Sequence, residues 1–218
     1  KPVGASLVIN SLTKYIGGHS SALGGAVTET GCFDWSRFDN ILPDYRRGDS
    51  AKWGITQIRK KGLRDFGASI GPQAANMIAL GAETLALRIT RQSANAEAMC
   101  NFLVHHPQVK NVYYPGLASH PQHQLATELF RGYGGLFSFE LVDEVDLWEF
   151  LNRLKVVVKS SNLGDNRTLA IPVAHTIYFE MGAQRRASMG IDESLIRISS
   201  GIEDSEDLLD DLRHGFAD

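Results

Sequence analysis

The stretch that decides the fold reads Asn10-Ser11-Leu12-Thr13-Lys14-Tyr15-Ile16-Gly17-Gly18-His19-Ser20. The short run before it, Ser6-Leu7-Val8-Ile9, reads as a buried strand. Two hydroxyls, a lysine and a glycine-rich turn follow at once. This order sets an amine and two phosphate-capable hydroxyls at the C-terminal end of a strand, where open α/β sheets bind their ligands. Beyond the turn, Leu23 to Thr28 reads as a second strand. Residues 31–51 carry Pro43, Gly48 and four aspartates, which predicts a long ordered loop.

A helix is expected from Trp53 to Phe66, on the spacing of Ile55, Ile58 and Leu63. Pro72 stands where a helix favours its first residue, and the chain runs from there to His105 without another proline. The first part of that run is apolar on most faces and reads as buried. The polar stretch Arg91 to Glu97 reads as a transition into a second domain, and Pro107 closes the run. Strands and helices then alternate: strand Val109–Tyr114, a helix after Pro121, strand Leu136–Leu141, helix Leu147–Leu154, and strands Val156–Lys159 and Ser194–Ser199. The last helix is signalled by acidic residues in its first turn (Glu203, Asp204, Glu206, Asp207) and a stripe of Leu208, Leu209, Leu212 and Phe216.

The bulk numbers exclude several classes. With 218 residues, 43% hydrophobic and 22% charged, the chain has an ordinary globular composition. The net charge of −3, with Lys and Arg scattered, argues against nucleic acid or an anionic membrane as partner. No apolar stretch reaches transmembrane length and no signal peptide opens the chain, so a cytoplasmic location is expected. Cys32 and Cys100 are too few and too far apart for a disulfide framework, and no histidine combination has metal-site spacing, so no metal is expected. A chain that opens on Lys1, just before a buried-type strand, is expected to be a fragment or a processed product.

Lys14 suits Schiff-base formation with pyridoxal phosphate, with Ser11 and Thr13 bonding the phosphate; the bland alternative is a solvated surface lysine. The segment Gly17-Gly18-His19-Ser20-Ser21-Ala22-Leu23-Gly24-Gly25 matches neither the P-loop nor the dinucleotide fingerprint, and reads as the loop leaving that lysine. Arg197 lies in Leu195-Ile196-Arg197-Ile198-Ser199, on the strand face opposite Ile196 and Ile198. It is either a structural ion pair or a bidentate clamp on a substrate carboxylate. Ser160-Ser161-Asn162-Leu163-Gly164-Asp165 is either a plain turn or a donor of N–H and hydroxyl to the same carboxylate.

Three stretches carry a resemblance to a known family: Ser11-x-Thr13-Lys14-Tyr15-x-Gly17-Gly18-His19, Ser161-Asn162-Leu163-Gly164-Asp165, and Leu195-Ile196-Arg197-Ile198-Ser199-x-Gly201-Ile202-Glu203-Asp204. They resemble the Cys/Met-metabolism enzymes that use pyridoxal phosphate, the cystathionine γ-synthase-like group. Within the group the chain is most similar to the O-acetylhomoserine sulfhydrylases, through Phe33-Asp34-Trp35, Leu63-Arg64-Asp65-Phe66-Gly67-Ala68, Gly81-x-Glu83-Thr84-Leu85-x-x-Arg88 and Tyr114-Pro115-Gly116-Leu117. The resemblance implies an α/β fold, the C-terminal half of an aminotransferase-like (fold type I) enzyme. Residues 1–92 would be the end of the large cofactor domain and 93–218 a smaller α/β domain.

It also implies that Lys14 carries the cofactor and shuttles protons, that Ser11 and Thr13 bind the phosphate, and that Arg197 and Ser161 hold the substrate α-carboxylate. The implied reaction is γ-replacement on an activated homoserine ester by sulfide or a thiol. The rivals are a γ-lyase and a non-catalytic fragment. The implied partners are a small amino-acid substrate, the N-terminal half of the enzyme, and further copies in a homotetramer. The stretch Ile171-Pro172-Val173-Ala174-His175-Thr176-Ile177-Tyr178 departs from the family's usual His-Pro-Ala-Ser-Thr-Thr-His, so side chains at the substrate's distal end are expected to differ.

Overall fold

The computed structural model describes residues 3–216 and divides into two units between Leu80 and Gly81. In the first unit, β1 (Leu7–Ser11) and β2 (Gly25–Glu29) form a two-stranded antiparallel ribbon in which Ser11 faces Gly25. The run expected to be a buried strand is therefore a strand, but an open one: Ile9 is 76% exposed and Val8 is also exposed. Its neighbour across the ribbon is the only strand it pairs with among the described residues. A two-stranded ribbon has too little sheet to cover its own faces.

The loop expected over residues 31–51 is ordered and runs one residue further, built from three short 3-10 turns, Trp35–Arg37, Pro43–Tyr45 and Ser50–Lys52. Asp34 anchors it: the carboxylate accepts from Ser36 N (3.1 Å), Ser36 Oγ (2.8 Å) and Ser50 Oγ (2.6 Å). These bonds, Ser50's above all, hold its pKa down to about 2. A carboxyl with a depressed native pKa stabilises the loop above its ordinary pKa, and that contribution is lost as pH falls through the native value. Trp35, whose Nε1 donates to Glu29 Oε1 at 2.9 Å, reports on this loop. Its fluorescence is expected to hold from neutral pH to about 4 and to change between about 4 and 2. Asp34→Asn should remove part of that change, and an identical titration in the variant would refute the assignment.

The helix expected at 53–66 forms in two pitches, α1 (Trp53–Gln57) and a π-helical continuation, Ile58–Asp65. Next come α2 (Pro72–Glu83), with Pro72 as its first residue, and α3 (Leu85–Val104). The first part of this run, expected to be buried, is buried only in part: Ile78 is covered, and others are not. Leu87 is 75% exposed and Leu80 is half-exposed. Arg88 explains the motif before it: buried, it donates from Nη2 to Gly81 O at 2.7 Å and from Nε to Thr84 Oγ1 at 3.1 Å. It thereby satisfies carbonyl and hydroxyl groups freed where α2 gives way to α3.

The second unit is a mixed sheet covered by helices on one face. Its strands are β3 (Val109–Tyr113), β4 (Leu136–Leu141), β5 (Val158–Lys159), β6 (Leu169–Pro172) and β7 (Leu195–Ser199), in the order β3-β4-β7-β6-β5. All neighbours are antiparallel except β5 and β6. The other helices are α4 (His123–Leu129), α5 (Leu147–Arg153), α6 (Ala183–Ser188) and α7 (Ser205–Phe216). Phe137, Phe139 and Leu141 of β4, with Ile196 and Ile198 of β7, pack against Met99, Cys100 and Leu103 of α3, Phe150 and Leu151 of α5, and Leu208, Leu212 and Phe216 of α7. The period of two along the strands and of 3.6 along α7 decides this layering. Burial among these side chains pushes the Cys100 thiol well above its ordinary pKa, so it is a core residue rather than a nucleophile.

The stretch Arg91–Glu97, read as a transition into a second domain, lies inside α3, with Gln92, Asn95 and Ala96 fully buried. Residues 92 and 93, the expected domain boundary, are consecutive residues of that helix.

Candidate active site

Lys14 sits on a tight turn that closes against its own main chain at Gly17. Past Ser11 the chain forms one π-helical turn, Leu12–Ile16, in which Lys14 itself has non-helical backbone angles. Leu12 N and Thr13 N both donate to Gly24 O (2.9 and 3.3 Å), Gly17 N donates to Leu12 O (2.9 Å) and Gly18 N to Lys14 O (2.8 Å). A Cβ on Gly24 would lie 2.7 Å from Ile78 Cδ1, and one on Gly17 would lie 2.8 Å from Leu12 O. The Ile78 side chain could give way to the first, but the second is against main chain, so the turn closes this tightly only with glycine at position 17. Lys14 is half-buried there.

Thr13 braces the same turn. Its Oγ1 accepts from Gly24 N at 3.0 Å and donates to Gly24 O over a longer 3.3 Å. The accepted bond leaves the hydroxyl proton able to turn toward an anion. Ser11 is exposed at the end of β1. An amine flanked within three residues by two hydroxyls is a donor set that fits an aldehyde bearing a phosphate, which is the chemistry of pyridoxal phosphate.

Arg197 and Ser161 lie in the other unit and are brought together. Strand alternation turns Arg197 to the face of β7 opposite Ile196 and Ile198, where it pairs across with Ser138 of β4 and Ile171 of β6. Its Nη2 donates to Ser161 O at 2.9 Å and Asn162 O at 3.2 Å. Ser161 therefore meets the arginine through its carbonyl, and its side chain is exposed. The loop is fixed from behind: Gly164, at φ +73°, donates from its N to Ser199 Oγ at 2.8 Å. Arg197 lines a cavity of about 390 Å³ with Tyr113, Ser138, Ile177, Tyr178 and Met189 among its walls.

The residues that hold this loop went unread in the sequence. Gln92 Nε2 donates to Asp165 O at 2.7 Å, and Asn95 Nδ2 donates to Gly201 O and Glu203 O, both at 3.0 Å. Asn95 Oδ1 accepts from Ser205 Oγ at 2.6 Å. Glu203 accepts from Thr168 N (2.6 Å) and Thr168 Oγ1 (2.8 Å), and Thr168 Oγ1 in turn accepts from Gly201 N (2.8 Å). The polar face of α3 thus holds the turn that precedes β6 and the turn that follows β7. Their only signal in the sequence was a polar interruption in an apolar helix. Asn95→Ala should cost about 2 kcal/mol, because it strands buried carbonyls, and chemical denaturation measures it. An unchanged midpoint would show that the network adds nothing to stability.

On the same sheet face, buried Glu140 accepts from Asn111 Nδ2 (2.6 Å) and Tyr113 Oη (2.9 Å). Burial and this carboxylate together push the Tyr113 phenol up to about 12. Among the described residues, no cluster of His, Cys, Asp and Glu could hold a metal ion, and no helix is long and apolar enough to cross a membrane.

Comparison with known proteins converges on one family. The model of the Cys/Met metabolism PLP-dependent enzymes matches residues 2–217. O-acetyl-L-homoserine sulfhydrylase 1 of Thermus thermophilus is 36% identical over 98% of this chain and 54% of its own length. Cystathionine gamma-lyase of Bacillus subtilis is 34% identical over 96% of this chain and 50% of its own length. The structure of an O-acetylhomoserine (thiol)-lyase assigned in Campylobacter jejuni, which contains a pyridoxyl-lysine monophosphate, superposes with a TM-score of 0.88 at 33% identity. It covers 99% of this chain and 54% of that one. The chain spans about half the length of the relatives it matches.

Proposed function

Because the chain belongs to the Cys/Met metabolism family of PLP-dependent enzymes, we propose that it carries the cofactor lysine and the substrate-carboxylate site of a γ-replacement enzyme. The substrate is an activated homoserine ester, O-acetylhomoserine, and the acceptor is sulfide or a thiol, giving homocysteine or a thioether. The observation that carries this reading is Lys14 on its glycine-locked turn between the hydroxyls of Ser11 and Thr13. The activity is that of the assembled enzyme, completed by the rest of the relatives' length and by further copies in a homotetramer.

When bound, pyridoxal phosphate supplies an aldehyde for the lysine and a ring that draws electrons from the substrate α-carbon. Ser11 and Thr13 bind the phosphate and so fix the ring's distance from Lys14. Arg197 pairs with the α-carboxylate through its planar fork, and the Ser161 loop braces that arginine. With the carboxylate held, Lys14 Nζ takes the α-proton and then mediates loss of the β-proton, so that the γ-ester leaves. Returning protons along the same route after the sulfur nucleophile adds gives the product.

A γ-lyase is the second reading, favoured by the 34% identity to the Bacillus subtilis lyase. The experiment supplies O-acetylhomoserine to the cofactor-loaded enzyme with and without sulfide. Homocysteine formed only with sulfide supports replacement. A 2-oxo acid released without sulfide supports the lyase, and no turnover of either kind leaves a non-catalytic fragment.

A further inference from the structure

Between β6 and β7 the chain leaves the sheet at Pro172, runs out through residues 173–182, turns through α6, and returns to Leu195. Its outgoing limb contributes Val173, Ile177 and Tyr178 to the cavity that holds Arg197, and its returning limb contributes Met189, Gly190 and Ile191. The cavity therefore has a cation at one wall and two separate limbs of one segment making its apolar side.

The two limbs are tied by a charge cluster, buried at its arginine and half-exposed at its glutamate, that the proposed reaction does not use. Arg186, on α6, has a side chain only 8% exposed. Its Nε and Nη2 both donate to Glu193 Oε1, at 3.1 and 2.7 Å, and its Nη1 donates to Phe179 O at 3.1 Å. Glu193 reaches back to the outgoing limb as well: its main-chain oxygen lies 3.0 Å, and its Oε2 3.6 Å, from Nε2 of His175. One arginine–glutamate pair thus connects positions 175, 179, 186 and 193. A guanidinium fork fixes direction as well as distance, which a single ammonium does not.

We propose that Arg186, latched on Glu193, is a positioning residue that sets the shape of the pocket's apolar wall and so selects amino acids by the size of their uncharged side chain. This rests on the reading of Arg197 as the carboxylate anchor. The anchor holds one end of the ligand, and the two limbs meet the other. Releasing the latch lets Ile177 and Met189 separate, which weakens ligands that reach them and spares ligands too short to do so. Mismatched contact in an apolar pocket is worth about tenfold per methylene at the low end.

The test uses the assembled, cofactor-loaded enzyme and three competitive probes of rising length: L-alanine, L-norvaline and L-norleucine. In Arg186→Ala and in Glu193→Gln, norleucine affinity should fall about tenfold while alanine affinity falls less than about twofold. The KM for the substrate should rise with little change in kcat, and Arg186→Lys should restore part of the preference. Amide hydrogen exchange across 173–193 and the fluorescence of Trp148, whose ring centroid is 5.3 Å from that of His175, should change in step. Equal weakening of all three probes, or an unchanged preference with exchange raised, would overturn the proposal by reducing the pair to a structural one. Arg197→Lys separates the two readings. It should weaken all three probes alike, and if it leaves them unchanged, the carboxylate assignment falls and the role of the Arg186–Glu193 latch with it.

Discussion

Lys14→Ala is expected to remove the bound cofactor's colour and to lower turnover by about 10⁴-fold, the upper range for loss of a positioned acid–base group. On the proposed function, one amine would serve twice: as the covalent tether and as the base. The bonds from Gly24 and Gly17 that shape this turn involve main chain and Thr13, so they are kept in the variant, and circular dichroism of both proteins checks that the fold is too. Borohydride reduction followed by intact mass measurement provides the check. The native enzyme should gain one cofactor mass on the peptide containing Lys14, and the variant none. A retained adduct or retained turnover in Lys14→Ala would mean that another lysine does this work.

Arg197→Ala should raise KM about 10²-fold and change kcat much less, since a charge-assisted hydrogen bond to a carboxylate contributes about 1.5–3 kcal/mol and each 1.4 kcal/mol is tenfold. Arg197→Lys should recover only part of this, because a lysine keeps the charge and loses the fork. The side chain lies on the sheet face away from the core and donates to the Ser161 and Asn162 carbonyls, so its removal also loosens the loop. A Ser161→Ala variant separates the two contributions. The serine meets the arginine through its carbonyl, so the hydroxyl's loss should alter KM by less than threefold if the loop's role is main-chain bracing, about the size of a weak exposed contact. Steady-state kinetics with O-acetylhomoserine as varied substrate reads both, and a KM unchanged in Arg197→Ala would place the carboxylate elsewhere.

Much of the architecture was legible because it depends on neighbours in sequence. Alternation over Leu195–Ser199 placed Arg197 opposite Ile196 and Ile198, and the Leu208, Leu212 and Phe216 stripe specified α7, since periods of two and 3.6 are properties of the backbone alone. The order strand, hydroxyls, lysine and glycines located the Lys14 turn for the same reason. Pro72 marked the first residue of α2 because its fixed φ and missing N–H suit that position.

What only the tertiary structure decided is where polar groups find partners and which apolar faces find cover. Gln92 and Asn95 are a polar interruption in an apolar run, and their partners lie 73 to 110 residues away, at Asp165, Gly201, Glu203 and Ser205. Arg186 and Glu193 are close in sequence, but their value comes from His175 and Phe179 on the opposite limb. The run ending at Ile9 had the composition of a buried strand, and its exposure depends on what packs beside it. Local pattern sets the conformation of a segment. The energy of a buried polar group or an apolar face is set by what touches it, and long-range contact leaves no periodic trace in the chain.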